Sequence, residues 1–213
     1  VSMTKPARSK DQVAAIKKKI LEGALSVLSE EGYGALTMRR IAAKTGMTAA
    51  NLYNYFHNKD EIYLELVIQG FEILYGALER ALSSTKDPAA RIGAVIDAYY
   101  GFSRDYGQHY DIMFTLPTPK YDDYAGSPLE SKARVEMDLS ERIVRTLTGA
   151  VEEAGLPRRE AELAMIEGWT LLHGLVSLRK SRVLQYVAAD IDGVYENIRK
   201  QVLDLLGERK RGL

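Results

Sequence analysis

The chain has 213 residues, enough for one mid-sized domain or two small ones, and its 46% hydrophobic and 27% charged residues are typical of a globular protein. It contains no cysteine, which excludes disulfide bonds, a thiol nucleophile and a thiolate metal site. The formal net charge is zero, but residues 1–60 hold ten Lys and Arg against five Asp and Glu, so the basic end suits a polyanionic partner unless the imbalance is an ordinary fluctuation.

The sequence also indicates the cellular compartment of the protein and whether it binds a metal or cofactor. No apolar run approaches the ~18 residues of a membrane span, and the polar N-terminus has no apolar signal segment. We therefore expect a cytoplasmic protein with no membrane partner. Three widely spaced histidines and no cysteine predict no metal site and no cofactor.

The first eleven residues are polar and basic, with Lys5, Arg8 and Lys10, and predict a mobile arm. Such an arm either adds phosphate contacts to a DNA complex or is a frayed, solvated terminus. The first helix is predicted from Gln12 to Glu31, because apolar residues recur there at steps of three and four.

Residues 37–59 are predicted to form two short helices joined by a tight turn. Gly46 stands where the first helix must end, because glycine tolerates the left-handed backbone of a C-cap. Thr48 is a suitable N-cap for the second helix, which we predict to extend to about Phe56. This order predicts a helix-turn-helix unit, covered by the first helix because two short helices bury too little surface alone. The residues predicted to pack the two helices together are Ile41, Ala42, Met47, Leu52 and Phe56.

The second helix leaves small, amide and hydroxyl side chains for its outer surface, with no acid among them. These candidates are Ala49, Ala50, Asn51, Tyr53, Asn54 and Tyr55. A surface of this kind suits insertion into the major groove of double-stranded DNA.

A fourth helix is predicted from Lys59 to about Ser83, with Asn58 as its cap. At roughly 24 residues it would span ~36 Å, long enough to connect two domains. Further helices are predicted over 89–106, 110–116, 129–155, 158–182 and 191–206. Residues 117–128 hold three prolines and predict a loop that is either a lid or disordered. No segment alternates as a strand does, so the fold class is all-α with about nine helices.

Several of these residues together resemble the N-terminal signature of TetR-type transcriptional regulators. They are Gly32-Tyr33, Leu36-Thr37-Met38-Arg39, Ile41-Ala42, Gly46, Leu52-Tyr53, Tyr55-Phe56 and Lys59. The run from Trp169 to Leu178 resembles a tryptophan-histidine-glycine motif in the ligand domain of one subgroup. The resemblance implies a three-helix DNA-binding domain, residues 1–58, and a larger helical domain, residues 59–213, that binds a ligand and dimerises.

The resemblance also implies roles in DNA contact. Tyr53, Tyr55 and Lys59 match positions that usually touch phosphate, Thr37 caps a helix at the backbone, and Arg39 can reach phosphate or base. The groove-facing positions are Thr48, Ala49, Ala50, Asn51 and Asn54. A lysine at a helix N-terminus and tyrosine hydroxyls independently suit phosphate contacts. The alternative is that one of the two tyrosines only packs in the core, since residues i and i+2 do not share a helix face.

Aromatic and sulfur-containing side chains cluster in the middle of the chain and predict a pocket for a flat or oily small molecule. Core packing is the alternative for each of them. The predicted ligand-binding residues are Phe71, Tyr75, Tyr99, Phe102, Tyr106, Met113, Phe114, Met165, Trp169 and His173.

One short helix reads few base pairs, so we expect a homodimer. The apolar faces of helices 158–182 and 191–206 would form its four-helix bundle, with Gly168, Gly174 and Ser177 allowing close approach. The predicted function is a ligand-responsive transcriptional repressor that a small hydrophobic or aromatic molecule releases from its DNA operator. The alternative is an all-α small-molecule-binding protein or enzyme without DNA binding. No phosphate loop, Glu-x-x-His pair or catalytic triad is evident, so we predict no enzymatic activity.

Overall fold

The computed structural model describes residues 8–211, and this part of the chain contains ten α-helices and no β-strand. The all-α prediction is therefore confirmed; Lys5, in the predicted arm, lies outside the described residues. The helices are α1 (Lys10–Glu31), α2 (Met38–Thr45), α3 (Ala49–Leu52), α4 (Lys59–Leu82), α5 (Pro88–Asp105), α6 (Gly107–Tyr110), α7 (Glu130–Glu153), α8 (Arg158–Lys180), α9 (Leu184–Val187) and α10 (Ile191–Arg211).

The chain packs as two compact units. The first takes the chain as far as Gly70 and adds Gln108–Glu136, while the second takes Phe71–Gly107 and the chain from Met137 onward. Helices α4 and α7 each contribute residues to both units. The predicted boundary at residue 58 divides a DNA-binding domain from a ligand-binding domain, whereas the two units are defined by packing. The predicted boundary stays a prediction.

The head of the first unit is built by α1, α2 and α3. Its fully buried side chains are Ile20, Ala24, Val27, Leu28, Leu36, Ile41 and Leu52. Helices α1 and α2 pack closely at Gly23, where a Cβ atom would lie 2.4 Å from Cγ2 of Thr45. The Thr45 hydroxyl donates to the carbonyl of Ile41, so this buried polar group is satisfied within its own helix.

The segment predicted as a lid or disordered loop packs onto α4 within the first unit. Tyr63 is 2% exposed and its hydroxyl donates to the carbonyl of Pro119 over 3.1 Å. The Thr118 hydroxyl donates to the carbonyl of Ile112, and Tyr124 is buried in a 3₁₀ turn, Tyr121–Tyr124. Burial of aromatic rings therefore orders this loop despite its prolines.

The second unit is a bundle in which α5, α8 and α10 pack with the later part of α7. Its buried side chains include Ile92, Ile96, Leu172, Leu175 and Val202. Helix α10 runs beyond its predicted end at Leu206 to Arg211. Arg209 on that extra turn is bound to Glu160 and, over 2.7 Å, to Glu167 of α8. Contacts between helices thus extend α10.

Three local features differ from the sequence expectations. Gly107 begins the short helix α6 instead of ending α5, residues 111–115 form a π-helical turn instead of a helix from Tyr110 to Leu116, and α9 has no predicted counterpart. Each segment is only four or five residues long, too short for hydrophobic periodicity to reveal. Among the described residues, no helix has the length and apolarity to cross a bilayer.

Candidate nucleic-acid interface and ligand cavity

The turn between α2 and α3 follows the local rules of capping. Oγ1 of Thr37 accepts from the backbone N–H of Arg40 over 3.1 Å at the start of α2. Gly46 ends α2 with φ of 66°, in the left-handed region that favours glycine. Oγ1 of Thr48 then accepts from the N–H of Asn51 over 3.2 Å at the start of α3. The helix-turn-helix geometry is therefore the predicted one.

Residues 48–56, called the recognition segment below, are helical over a shorter stretch than predicted. Only Ala49–Leu52 is α-helical, and hydrogen-bonded turns follow to Phe56, whose N–H donates to the carbonyl of Leu52 over 3.1 Å. The buried side chains of Leu52 and Phe56 hold the segment against the head. Tertiary packing, rather than helix length, fixes its shape.

All ten residues predicted to contact DNA lie at least partly at the surface. The exposed ones are Thr37, Arg39, Thr48, Ala50, Tyr53 and Asn54, and the partly exposed ones are Ala49, Asn51, Tyr55 and Lys59. Tyr53 has the largest exposed aromatic surface of the segment, at 56%. Their surface positions leave them accessible to a partner, and their contacts with DNA stay a prediction.

Two cations from the N-terminal part of the chain contact the recognition segment: Arg8, named above as part of the basic arm, and Lys17, which was not predicted to lie there. Arg8 donates to the hydroxyl of Tyr55, with its guanidinium 5.7 Å from the centre of that ring. Nζ of Lys17 lies 5.2 Å from the centre of the Phe56 ring. Arg8 lies 47 residues from Tyr55 along the chain, so neither contact follows from local sequence patterns, although the basic charge near the N-terminus is visible in the sequence.

Two neighbouring arginines of α2 differ in their availability to DNA. Arg40 binds Glu31 over 2.8 Å, which neutralises its charge. Arg39 is exposed and has no carboxylate within ion-pair distance among the described residues. Arg39 is therefore the better candidate for a phosphate contact, in agreement with the role implied by the resemblance.

The turn before α4 is fixed by Glu61. Its carboxylate accepts from the backbone N–H of His57 over 2.7 Å and lies 3.0 Å from Nδ1 of that ring. Partial burial acts to raise the pKa of Glu61, but the hydrogen bonds from His57 outweigh it and the pKa is lowered. Oδ1 of Asn58 accepts from the N–H of Glu61 over 2.8 Å, as its predicted role as the cap of α4 requires. Together these bonds hold the start of α4.

Lys59 projects from this fixed helix start. Its Nζ lies 4.4 Å from the centre of the Tyr33 ring, a cation–π distance. The Tyr33 hydroxyl donates to the carboxylate of Asp60, which holds that ring in place. Lys59 is thus a positioned cation at the edge of the recognition surface, where a phosphate would meet both its charge and helix N–H groups.

The second unit contains an apolar cavity of about 80 Å³ between its helices. Its wall is mostly aliphatic, with two aromatic residues, and its main polar feature is the hydrogen bond from Nε1 of Trp169 to the hydroxyl of Tyr99, 3.0 Å long. The lining residues are Leu78, Ile92, Val95, Ile96, Tyr99, Leu147, Val151, Ala164, Met165, Gly168, Trp169, Leu172, Val202 and Leu206. A cavity of this composition suits an apolar ligand.

Three of the predicted ligand-binding residues line this cavity: Tyr99, Met165 and Trp169. Phe71, Tyr75, Phe102, Tyr106 and His173 belong to the second unit but do not line it, and Met113 and Phe114 belong to the first unit. The lining residues that were not predicted are mostly aliphatic residues on the apolar stripes of helices. Such a stripe has the same periodicity whether its residues fill the core or line a cavity, so the pattern could not distinguish the two.

Helix α8 carries an exposed apolar face in the second unit. Leu163, Ile166 and Leu178 are each between 41% and 50% exposed. A Cβ atom at Gly174 would meet no other atom within 4 Å, so this position is open to close approach. Gly168 is different, because a Cβ atom there would lie 3.0 Å from Cγ1 of Val202 within the same chain.

No group of three or more metal-binding side chains is present in the described part of the chain. Burial lowers the pKa of His173, whose ring centroid lies 6.1 Å from that of Trp169. His173 therefore favours its neutral form.

Comparison with known proteins assigns both ends of the chain. Residues 20–66 match the sequence model described as bacterial regulatory proteins, tetR family, and residues 92–201 match the tetracyclin repressor-like C-terminal domain. The second match alone spans more than half of the chain. The predicted subgroup with a tryptophan-histidine-glycine motif stays a prediction.

Individual relatives match with low identity. The HTH-type transcriptional activator FasR of Mycolicibacterium smegmatis is 29% identical over 109 residues, which are 51% of this chain and 47% of FasR. The HTH-type transcriptional regulator Rv0681 of Mycobacterium tuberculosis is 25% identical over 184 residues, 85% of this chain and 77% of that protein. The chain thus spans about half the length of FasR and about three quarters of Rv0681.

Solved structures share the fold. A TetR-family transcriptional regulator from Streptomyces coelicolor superimposes with a TM-score of 0.70 at 20% identity, covering 96% of this chain and 98% of that one. The fatty acid degradation regulator FadR from Bacillus halodurans gives a TM-score of 0.66 at 14% identity, covering 93% and 97%. At these identities the similarity establishes the fold and nothing further.

Proposed function

We propose that this protein, which belongs to the tetR family of bacterial regulatory proteins, is a homodimeric DNA-binding repressor that a small apolar molecule releases from its operator. The observation that carries the proposal is the recognition segment, since Leu52 and Phe56 anchor it while its polar side chains face outward. The rest of the proposal adds a partner subunit and a ligand to this DNA-reading head.

The chemistry of the recognition surface supports DNA as the partner. Asn51 and Asn54 are the residue type that pairs with the adenine edge, and the methyl groups of Ala49 and Ala50 suit contact with thymine. Arg39 and Lys59 supply charge for phosphates on either side of the segment. Because phosphate contacts position a protein without specifying sequence, we assign orientation to these cations and readout to the segment.

The size of the apolar cavity supports a ligand-dependent switch. Its volume of about 80 Å³ is well below the roughly 300–1,000 Å³ of typical ligand sites. A ligand of ordinary size must therefore displace the surrounding helices to enter. Helices α4 and α7 each belong to both units, so ligand binding in the second unit can change the head through them. The ligand then shifts the population toward conformations whose heads no longer match the operator.

The exposed face of α8 supports dimerisation, and a dimer presents two heads to one operator. Burying Leu163, Ile166 and Leu178 against a second copy would remove a large apolar surface from water. Related proteins are named both as activators, such as FasR, and as repressors, such as KstR of Mycolicibacterium smegmatis, so repression is part of the proposal. The alternative of an enzyme without DNA binding is not favoured, because the named relatives are transcriptional regulators.

The test is fluorescence anisotropy with labelled DNA from upstream of the protein's own gene, over a range of salt concentrations. Lys59→Gln is expected to weaken binding and to lower the slope of log affinity against log salt by about one, since one phosphate contact is lost. Lys86→Gln, an exposed lysine in the second unit, serves as the matched control and is expected to change neither quantity. Equal affinity and slope for Lys59→Gln and the unmodified protein would refute the assigned role, and absence of saturable binding to any duplex would refute the proposed function.

A further inference from the structure

A second, polar-rimmed groove lies beside the apolar cavity in the second unit. It has a volume of about 460 Å³ and is bounded by the start of α5, the end of α7 and the last turns of α10. Its floor is formed by Ala89, Ala90, Gly93, Ala154, Leu203, Leu206 and Gly207. Leu206 also lines the apolar cavity, so this one side chain stands between the two spaces.

The polar rim of the groove is cationic. Arg199 and Lys210 line it, and no Asp or Glu does. Asp97 binds Nε and Nη2 of Arg199 over 2.7 and 3.1 Å, so the charge of Arg199 is largely balanced. Lys210 has no carboxylate within ion-pair distance among the described residues, and it carries the unbalanced positive charge of the groove.

Two glycines let these cations lie where they do. A Cβ atom at Gly93 would be 2.8 Å from Nη2 of Arg199, and one at Gly155 would be 2.9 Å from Nζ of Lys210. Nζ of Lys210 donates to the carbonyl of Ala154 over 3.2 Å, which holds the ammonium group at the end of α7. An ammonium group has three N–H donors, so two remain for a ligand.

Backbone groups are not the source of anion binding here. The backbone N–H groups of Ala89 and Ala90, at the start of α5, donate to the carboxylate of Asp87 over 3.3 and 3.2 Å and are therefore occupied. An anion in the groove would instead meet Lys210, with the third nitrogen of Arg199 as a second donor. Attraction therefore depends on side-chain charge and is removable by mutation.

We propose that the groove and the cavity form one site for an amphiphilic anion, whose apolar body enters the cavity past Leu206 and whose carboxylate or phosphate binds Lys210. This inference rests on the proposed function, because it names the chemical class of the effector. An apolar chain gains from leaving water, while its charged end keeps a partner at the exposed rim. Neither space alone provides for both ends of such a molecule.

Trp169 gives a direct readout of the site, since it lines the cavity and is the only tryptophan in the sequence. The probes are dodecanoate, dodecyl phosphate, dodecanol and dodecyltrimethylammonium, used below their micelle concentrations and followed by tryptophan fluorescence. We expect both anions to bind more tightly than dodecanol, and the cation more weakly than either anion. Comparing dodecanoate with dodecyl phosphate identifies the preferred head group.

Lys210→Gln is expected to weaken binding of the anions about fivefold, the scale of an exposed ion pair, and to leave dodecanol unchanged. Lys200→Gln is the matched control, because Lys200 is an exposed lysine of the same helix that lines neither space. Ala164→Leu, which fills the cavity, is expected to abolish the response to all four probes. Circular dichroism checks that each variant is folded.

The proposal is overturned if no probe changes Trp169 fluorescence, if dodecyltrimethylammonium binds as tightly as dodecanoate, or if Lys210→Gln leaves the preference for anions over dodecanol intact. Anisotropy with operator DNA, measured on the same samples without probe, separates this failure from failure of the proposed function. DNA binding that persists while the anion preference is absent rejects only the amphiphile site. Absence of DNA binding by the unmodified protein rejects the proposed function itself.

Discussion

Glu136 is a half-buried carboxyl group in the first unit, and its burial has a consequence for stability. Loss of hydration raises the pKa of Glu136, and the charge of Lys120 offsets this only in part. A carboxyl group whose pKa is raised on folding costs stability where it is ionised in both states. As the pH falls through the folded pKa, the folded protein takes up the proton first and the cost disappears.

We therefore expect Glu136→Gln to increase the free energy of unfolding at pH 7, with the gain shrinking as the pH is lowered toward 4.5, the ordinary pKa of a glutamate. Urea unfolding at several pH values measures this. Glu141→Gln, an exposed glutamate of the same helix, is the control and should show no such trend. A gain that is the same at pH 7 and pH 4.5 would contradict the argument.

At the scale of residues, the sequence predicted those roles that depend on near neighbours. Thr37, Gly46 and Thr48 were identified because a cap acts on groups within three or four residues of itself. The contact of Arg8 with Tyr55 was not, because it joins residues 47 positions apart and requires the folded head. The same limit applies to Lys17 and Phe56.

At the scale of elements, the turn between α2 and α3 depends on one backbone conformation. Gly46 has φ of 66°, and no atom lies within 4 Å of the place where its Cβ would be. The cost of a side chain there is therefore conformational and not steric. An L-residue in the left-handed region costs roughly 1–2 kcal/mol.

Gly46→Ala is accordingly expected to lower the free energy of unfolding by about 1–2 kcal/mol, as measured by urea denaturation. Gly34→Ala provides a matched comparison, because Gly34 also has open space around it but no positive φ. That variant should be neutral or slightly stabilising, since alanine restricts the unfolded chain. Equal effects of the two substitutions would mean that the turn does not need glycine.

The boundaries of long helices followed from the sequence, and short elements did not. Helix α4 begins at Lys59 as predicted and ends one residue before the predicted Ser83. The recognition segment was predicted as one helix because its apolar residues fit a helical period. In the structure, its last residues are turns, since the burial of Phe56 matters more there than helix propensity.

At the scale of the whole molecule, we expect the exposed face of α8 to join the two subunits of the proposed dimer. Ile166 has the largest exposed fraction of the three apolar residues that define this face, at 50%. A buried, unpaired charge is strongly unfavourable at an apolar interface. Replacing Ile166 by glutamate should therefore prevent a dimer that uses this face while leaving the isolated chain folded.

Sedimentation velocity is expected to give a dimer for the unmodified protein and a monomer for Ile166→Glu. Val144→Glu, at an equally exposed valine of α7, is the control and should remain dimeric. Operator affinity should fall with the loss of the dimer, because two heads bind one site together. A dimeric Ile166→Glu variant would show that another surface joins the subunits.

The fold class and the basic head could be predicted from the sequence, whereas the ligand cavity could be predicted only in part. Trp169, Met165 and Tyr99 were identified as aromatic or sulfur-containing residues of the middle region. Val151 and Leu172 were not, because an aliphatic residue on a helical stripe has the same pattern whether it lines a void or fills one. Which helices meet, and where they leave space, is a property of tertiary packing.

The anchoring of the recognition segment by two buried side chains has a practical consequence. Since Leu52 and Phe56 are the buried side chains of this segment, we expect its outward positions to contribute little to folding stability. We therefore expect substitutions to be tolerated at Ala49, Ala50, Asn51 and Asn54. A library varied at these positions can be selected for binding to new DNA half-sites. Such variants would keep the ligand response of the second unit and bind different promoters, because only the DNA sequence preference is changed.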